Sequence, residues 1–281
     1  MEFIFEAWLI IKPILVFIIL FSFLILIHEC GHFFAARWAG VKVEEFGLGL
    51  GKTVYKKKVG ETVYSLNAIP FGGFVQMLGE EDYSSDPKSY EQATLFKRII
   101  ITIAGVFMNF VFAFFMLAIL FGIGIEPIFI SQEDVIKAKE QGIIILSEAN
   151  EEGKQKILEI KKIKKSPVEA LVFAAQEMHR ISVAIVKKAA SIPGYIIRNH
   201  KLPDDLGGPV AIAETTFKIV PKGILDICKL AALLSLSLAV MNLLPIPALD
   251  GGRLLFQIIE SILCLFGQKI NQKIERAVHF G

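Results

Sequence analysis

PILVFIILFSFLILIHECGH, residues 13–32, joins an uncharged apolar run (Pro13 to Ile27) directly to His28-Glu29-Cys30-Gly31-His32. On an α-helix, positions i and i+4 differ by about 40° in azimuth and roughly 6 Å in height, so His28 and His32 present both imidazoles to one point. Two corners of a tetrahedral metal site are thereby available. Glu29 lies about 100° round from His28 and about 60° from His32, beside that point, where it can serve a water as general base. Cys30 lies about 200° from His28 and is read as packing against a neighbouring helix. His-Glu-x-x-His also arises by chance on solvated helix faces. In an apolar span, however, each ionisable side chain costs about 2.5–3.5 kcal/mol on insertion scales, and a bound cation offsets that cost for three of them.

The rest of the composition agrees with a membrane setting. The 281 residues are 54% hydrophobic and include 23 Phe, too apolar for an ordinary soluble domain. A net charge of +2 and the lack of a basic, aromatic-laced motif exclude a nucleic-acid partner. Cys30, Cys228 and Cys264 form no CxxC pair and no even framework, so disulfides do not hold the fold. Three segments are long enough to span about 30 Å of hydrocarbon: Trp8 to Ala36 with Pro13 near its start, Ile99 to Ile125, and Gly223 to Leu244. Arg253 to Phe266 is too short and reads as an interfacial or re-entrant helix. The expected fold is a three-span α-helical polytopic membrane protein. Its divisions are 1–125, 126–222 and 223–281. The His-Glu-x-x-His sits where a signal-peptide cleavage site would have to be, so the first span is expected to persist in the mature protein.

Between the first two spans, Val41 to Leu78 alternates apolar and polar residues among glycine clusters, ending in Gly72-Gly73-Phe74-Val75. This predicts a small β-hairpin sheet at the membrane surface, whose edge can pair with an extended peptide. The same loop carries Lys42, Lys52, Lys56, Lys57, Lys58, Lys88 and Lys97, whereas Lys12 is the first basic residue of the chain. Positive-inside bias puts the loop and the C-terminus in the cytoplasm, with the N-terminus and residues 126–222 outside. A catalytic zinc needs a third protein ligand. Asp250 is the candidate, in Asn242-Leu243-Leu244-Pro245-Ile246-Pro247-Ala248-Leu249-Asp250-Gly251, where two prolines break the third helix.

These separated motifs together resemble the site-2 protease family of intramembrane zinc metalloproteases, in particular its bacterial members. His-Glu-x-x-His matches residues 28–32, Asn-x-x-Pro-x-Pro-x-x-Asp-Gly matches 242–251, and Gly72-Gly73-Phe74-Val75 is similar to the family's substrate-binding β element. Gly105 to Asn109 and Leu206 to Ala213 also look like family segments. The resemblance implies that His28, His32 and Asp250 bind Zn2+, that Glu29 activates water, and that Asn242 and residues 72–75 hold substrate. It further implies a multi-pass protein of the bacterial inner membrane, its active site near the cytoplasmic face. Its substrates would be transmembrane proteins such as anti-sigma factors, or remnant signal peptides. Gly105 and Asn109 are read as packing positions that allow close helix approach and hydrogen bonding across the bundle.

The chain departs from the family in two places. Bacterial members usually carry PDZ domains after the second span, but Glu126 to Ser166 is about half the length such a fold needs. Within it, Gly142 to Leu146 reads as a remnant strand and Lys154 to Lys165 as a solvated charged face. Ser166-Pro167-Val168-Glu169 is a capping box, opening a helix to about Ala190 with a stripe through Val172, Ile181 and Ile185; this helix is expected on the outer membrane surface. Family members also continue into a fourth span about where this sequence stops, so a truncated chain is one expectation. A non-catalytic metal-binding scaffold would have no use for Glu29, and a transporter would require inverted repeats and more spans.

Overall fold

Long uncharged apolar runs with no competing turn signal form helices, because only a helix satisfies its backbone polar groups internally where water is scarce. The computed structural model describes residues 2–80, 84–129, 132–146, 157–201, 203 and 208–266. Three of its helices are long and apolar enough to cross a membrane: α1 (Glu2–Ala39, apolar from Trp8), α2 (Leu95–Ile123) and α6 (Ile224–Leu243). On α1, Trp8 and Trp38 are exposed at opposite ends. Thirty residues of helix separate them by about 45 Å, close to the full thickness of a bilayer with its headgroups. Pro13 is not at a helix start as expected but lies inside α1, whose helix begins at Glu2. The helix carries through the missing N–H because Trp8 to Ile11 before it and Ile14 to Ile27 after it are apolar.

The chain divides into two units, residues 1–113 with 202–281, and residues 114–201. In the first unit, β1 (Val43–Val59) and β2 (Thr62–Met77) pair antiparallel. The register is double: Phe46 faces both Tyr64 and Val75, and Leu48 faces both Leu66 and Gly73. Both strands therefore fold back on themselves, and the segment order across the sheet is 53–59, 62–67, 43–48, 73–77. Segment 73–77 is one edge. Phe71 stacks on Phe21 at 4.8 Å, the Ser22 hydroxyl donates to the Pro70 carbonyl at 2.9 Å, and the Gly72 N–H donates to Ser22 Oγ at 3.3 Å. Phe21 lies about 27 Å below the end of α1. The sheet thus runs lengthwise beside the apolar span rather than resting at its end, because its lower turns carry Leu50, Ile69, Pro70 and Phe71.

Two apolar clusters set the helices. Leu20 and Leu24 of α1 pack with Leu230 and Ala231 of α6, joined by Phe112 of α2. Phe33, Ala36 and Ala39 pack with Val43, Met77, Tyr90 and Ile101, tying the top of α1 to the sheet and to α2. Helix α5 (Pro209–Ile219) precedes a 3-10 turn (Val220–Lys222) that leads into α6. Helix α7 (Asp250–Leu265) starts three residues earlier than Arg253, so Asp250 is its first residue. Its sides are reversed relative to a water-facing helix: Leu255, Ile258, Ile259 and Ile262 are exposed, whereas Arg253, Gln257 and Glu260 turn inward. The Arg98 guanidinium of α2 grips the Glu260 carboxylate at 2.8 and 2.9 Å.

In the second unit, α3 (Gln132–Glu140) leads to β3 (Ile144–Leu146), which pairs antiparallel with β4 (Ile157–Ile160). Ile163 bridges to Ile125. The stretch expected as a solvated face therefore contains a strand, in which Ile157, Leu158 and Ile160 interrupt its charges; residues 154–156 lie outside the described residues. Helix α4 (Pro167–Asn199) runs beyond Ala190 to Asn199, and Glu169 accepts the Ser166 N–H at 3.0 Å as the capping box requires. Its buried stripe is Ala170, Ala174 and Ile181; Val172 is exposed, because nine residues carry it about 180° from Ile181. Arg180 donates to Asp134, to Glu177 and to the Ile128 carbonyl, and Phe121 meets Phe173 edge-on at 4.8 Å.

The Arg98–Glu260 pair supplies a stability test. Glu260→Leu leaves a buried guanidinium without its carboxylate and is expected to cost about 3–5 kcal/mol. A thermal or denaturant midpoint in detergent measures the loss, and the double substitution Arg98→Leu, Glu260→Leu should recover most of it.

Candidate metal centre

Helical spacing delivers what the motif requires. The Nε2 atoms of His28 and His32 lie 3.0 Å apart, with the rings edge-on at 79°. Both residues are buried. His32 Nδ1 lies 2.8 Å from the Ile101 carbonyl. A carbonyl only accepts, so Nδ1 carries the proton and Nε2 presents a lone pair. Asp250 arrives from the other end of the chain: α6 stops at Leu243, Pro245 and Pro247 prevent its continuation, and Ala248 turns with φ 68°. Its Oδ2 lies 3.0 Å from His28 Nε2 and 3.4 Å from His32 Nε2.

With its Nδ1 proton on the Ile101 carbonyl, His32 turns Nε2 to the same point as the buried carboxylate oxygen Asp250 Oδ2 and as His28 Nε2. Such an arrangement fits a cation. His28, His32 and Asp250 form a metal-capable group whose ligand atoms all lie within 4.8 Å of one another. Two imidazoles and one carboxylate at this spacing match a zinc site with bonds of about 2.0–2.2 Å and one position open.

Close contact between α1 and α2 makes the geometry possible. A Cβ on Gly31 would come within 2.2 Å of the Ala104 carbonyl oxygen, and one on Gly105 within 2.3 Å of His32 Nε2. Helix α2 therefore lies directly over the imidazoles, and its Ile101 carbonyl orients one of them. Gly105 allows close packing as expected, but what it packs on is the histidine pair itself.

A cavity of about 440 Å³ opens beside the group, lined by His28, Glu29, His32, Asp250, Asn242, Phe74 and Val75. Gly72 and Gly73 do not line it. Gly73 flanks Glu29, to whose Cγ an added Cβ would come within 3.8 Å, while Gly72 sits by Ser22 with φ 83°. Residues 28–32, 73–75 and 242–250 are thus brought to one place from three parts of the sequence, whereas Gly72 is not.

Residues 16–280 match the model of peptidase family M50. The chain belongs to peptidase family M50. It is similar to a provisionally named zinc metalloprotease of Clostridium perfringens, 35% identical over 86% of each chain. Another such protein, of Fusobacterium nucleatum, is 29% identical over 95% of this chain and 93% of that one. Zinc metalloprotease RasP of Bacillus licheniformis is 24% identical over 96% and 94%. This M50 protein is accordingly a zinc-dependent metalloendopeptidase of the site-2 protease family.

Sequence reasoning missed the far wall of the M50 cavity, which is formed by Met77, Glu80, Tyr90, Ile101, Thr102 and Arg253. Arg253 pairs with Glu80, whose second oxygen accepts the Met77 N–H at 3.2 Å. That pair ties the end of the edge strand to the helix that begins with Asp250. Burial works against the charge on Arg253, and Glu80, Tyr90 and Asp250 together more than offset it. Gln257 donates to Tyr90 Oη at 2.8 Å and to Thr102 Oγ1 at 3.0 Å. Burial pushes the Tyr90 phenol above its ordinary value, so it stays neutral. The one available signal was the i, i+4, i+7 spacing of Arg253, Gln257 and Glu260, a polar stripe in an apolar helix.

Gly105→Ala forces a methyl group into the His32 ring and is expected to abolish metal retention and activity together. Gly122→Ala on the same helix, with no atom near its added methyl, is expected to retain both. Zinc content after size-exclusion chromatography, read beside cleavage, checks the contrast.

Proposed function

We propose that this metalloprotease hydrolyses peptide bonds within or beside transmembrane segments, with His28, His32 and Asp250 holding zinc and Glu29 acting as general base. The observation that carries the reading is the convergence of those donors at the end of an apolar span, beside a cavity walled by a sheet edge. Bound there, zinc supplies Lewis-acid polarisation of the scissile carbonyl and of the attacking water. Glu29 takes a proton from that water and passes it to the leaving amide nitrogen. Asn242 and segment 72–75 hold the substrate main chain, the latter by adding the substrate as a further strand at the 73–77 edge. A substrate helix has to unwind first, because its peptide groups are otherwise occupied by their own hydrogen bonds.

The substrates on this reading are single-span membrane proteins, such as anti-sigma factors, or remnant signal peptides. Residues 1–125 and 223–281 carry the catalysis, and 126–222 forms the segment outside the membrane. The lysines of the 37–98 loop support an orientation with the N-terminus outside and the active site near the cytoplasmic face of the inner membrane.

Cleavage of a single-span substrate by purified protein in detergent tests the reading. Glu29→Gln is expected to keep zinc and lose cleavage, whereas His28→Ala and Asp250→Ala lose both. Persistent cleavage by Glu29→Gln would remove Glu29 from the mechanism.

A further inference from the structure

Asn109 is 0% exposed, and among the described residues neither its Nδ2 nor its Oδ1 has a hydrogen-bond partner. Leaving a buried carboxamide unpaired costs about 1–3 kcal/mol per group, so a residue with only a packing role would be better served by leucine. The expected hydrogen bond across the bundle is made by its main chain instead: Ser235 Oγ donates to the Asn109 carbonyl at 3.0 Å. That bond pins the residue between α2 and α6 and leaves the side chain uncommitted.

Asn109 is among the residues that line the cavity with His28, Glu29, Asp250 and Asn242. It stands one helical turn beyond Gly105, on the face of α2 that covers the imidazoles. It offers an NH2 donor and a carbonyl acceptor, the complement of a peptide group. An unwound substrate entering this cavity brings the converse need, main-chain N–H and C=O groups stripped of their helical partners and of water. We propose that Asn109 is a substrate-binding residue of the reaction, whose carboxamide pairs with the main chain of the unwound segment opposite the 73–77 edge. Recognition of this kind reads no side chain and serves any extended sequence. The inference rests on the cavity being the peptide-hydrolysing site.

Asn109→Leu separates this role from packing, because the two predict opposite signs for stability. The expected result is a protein with full zinc content and an equal or higher thermal midpoint, whose kcat/KM on a single-span substrate falls roughly 10–100-fold, the loss of one or two hydrogen bonds in a buried site. In the Glu29→Gln background, where substrate binds without being cut, the same substitution should weaken binding measured by fluorescence anisotropy of a labelled single-span peptide. Cleavage and binding within twofold of the parent would overturn the inference. A lost midpoint or lost zinc in step with activity would overturn it too, by making Asn109 a packing residue. Failure of the unsubstituted protein to cleave would instead remove the proposed function, and the binding arm would still decide the role of Asn109.

Discussion

The approach of α2 onto α1 at Gly31 and Gly105 is the constraint on which the site depends. Two missing side chains let the helices meet at backbone distance, as small residues do in membrane bundles. Three consequences follow from that one contact. The Ile101 carbonyl reaches His32 Nδ1 and fixes which ring nitrogen faces the metal position; the imidazoles are covered on one side; and Asn109 is carried to the cavity wall. A bulkier pair at the crossing would part the helices and undo all three.

Polar groups are costly at this depth, and the chain commits them in connected sets. Arg98 with Glu260, Arg253 with Glu80, and Tyr90 with Thr102 and Gln257 join α2, the sheet and α7. Helix α7 thereby turns its charged face inward and its isoleucines outward, an arrangement that suits lipid rather than water. Since Asp250 is the first residue of α7, anchoring that helix also anchors the third donor. Asp250 Oδ2 and the Asn109 carboxamide stand outside these sets, and both residues line the cavity. At the cavity, polar groups of this kind can be met by a ligand's own polar atoms.

The second unit is held by contacts of its own. Phe121 meets Phe173 of α4, and Arg180 of α4 bonds Asp134 of α3 and the Ile128 carbonyl. The misreading of Val172 has a simple geometric origin, since a stripe counted by hydrophobicity alone ignored the half-turn between positions 172 and 181.

What the sequence determined by itself was whatever depends on local periodicity and on uninterrupted composition. The three apolar helices, the paired strands between glycine clusters, the facing of His28 and His32, and the helix break at Pro245 and Pro247 are all of that kind, because 3.6-residue and 2-residue periods are local properties. The matching of Asp250 to the histidines came from motif resemblance, not from spacing, since more than 200 residues separate them. Tertiary structure alone decided the rest: that Gly105 lies on the imidazoles, that Glu80 meets Arg253, that the sheet descends along α1 to Phe21, and that the Asn109 carboxamide is buried without a hydrogen-bond partner among the described residues. Each of these depends on which faces of distant segments meet, and no period within one segment records its partner in another.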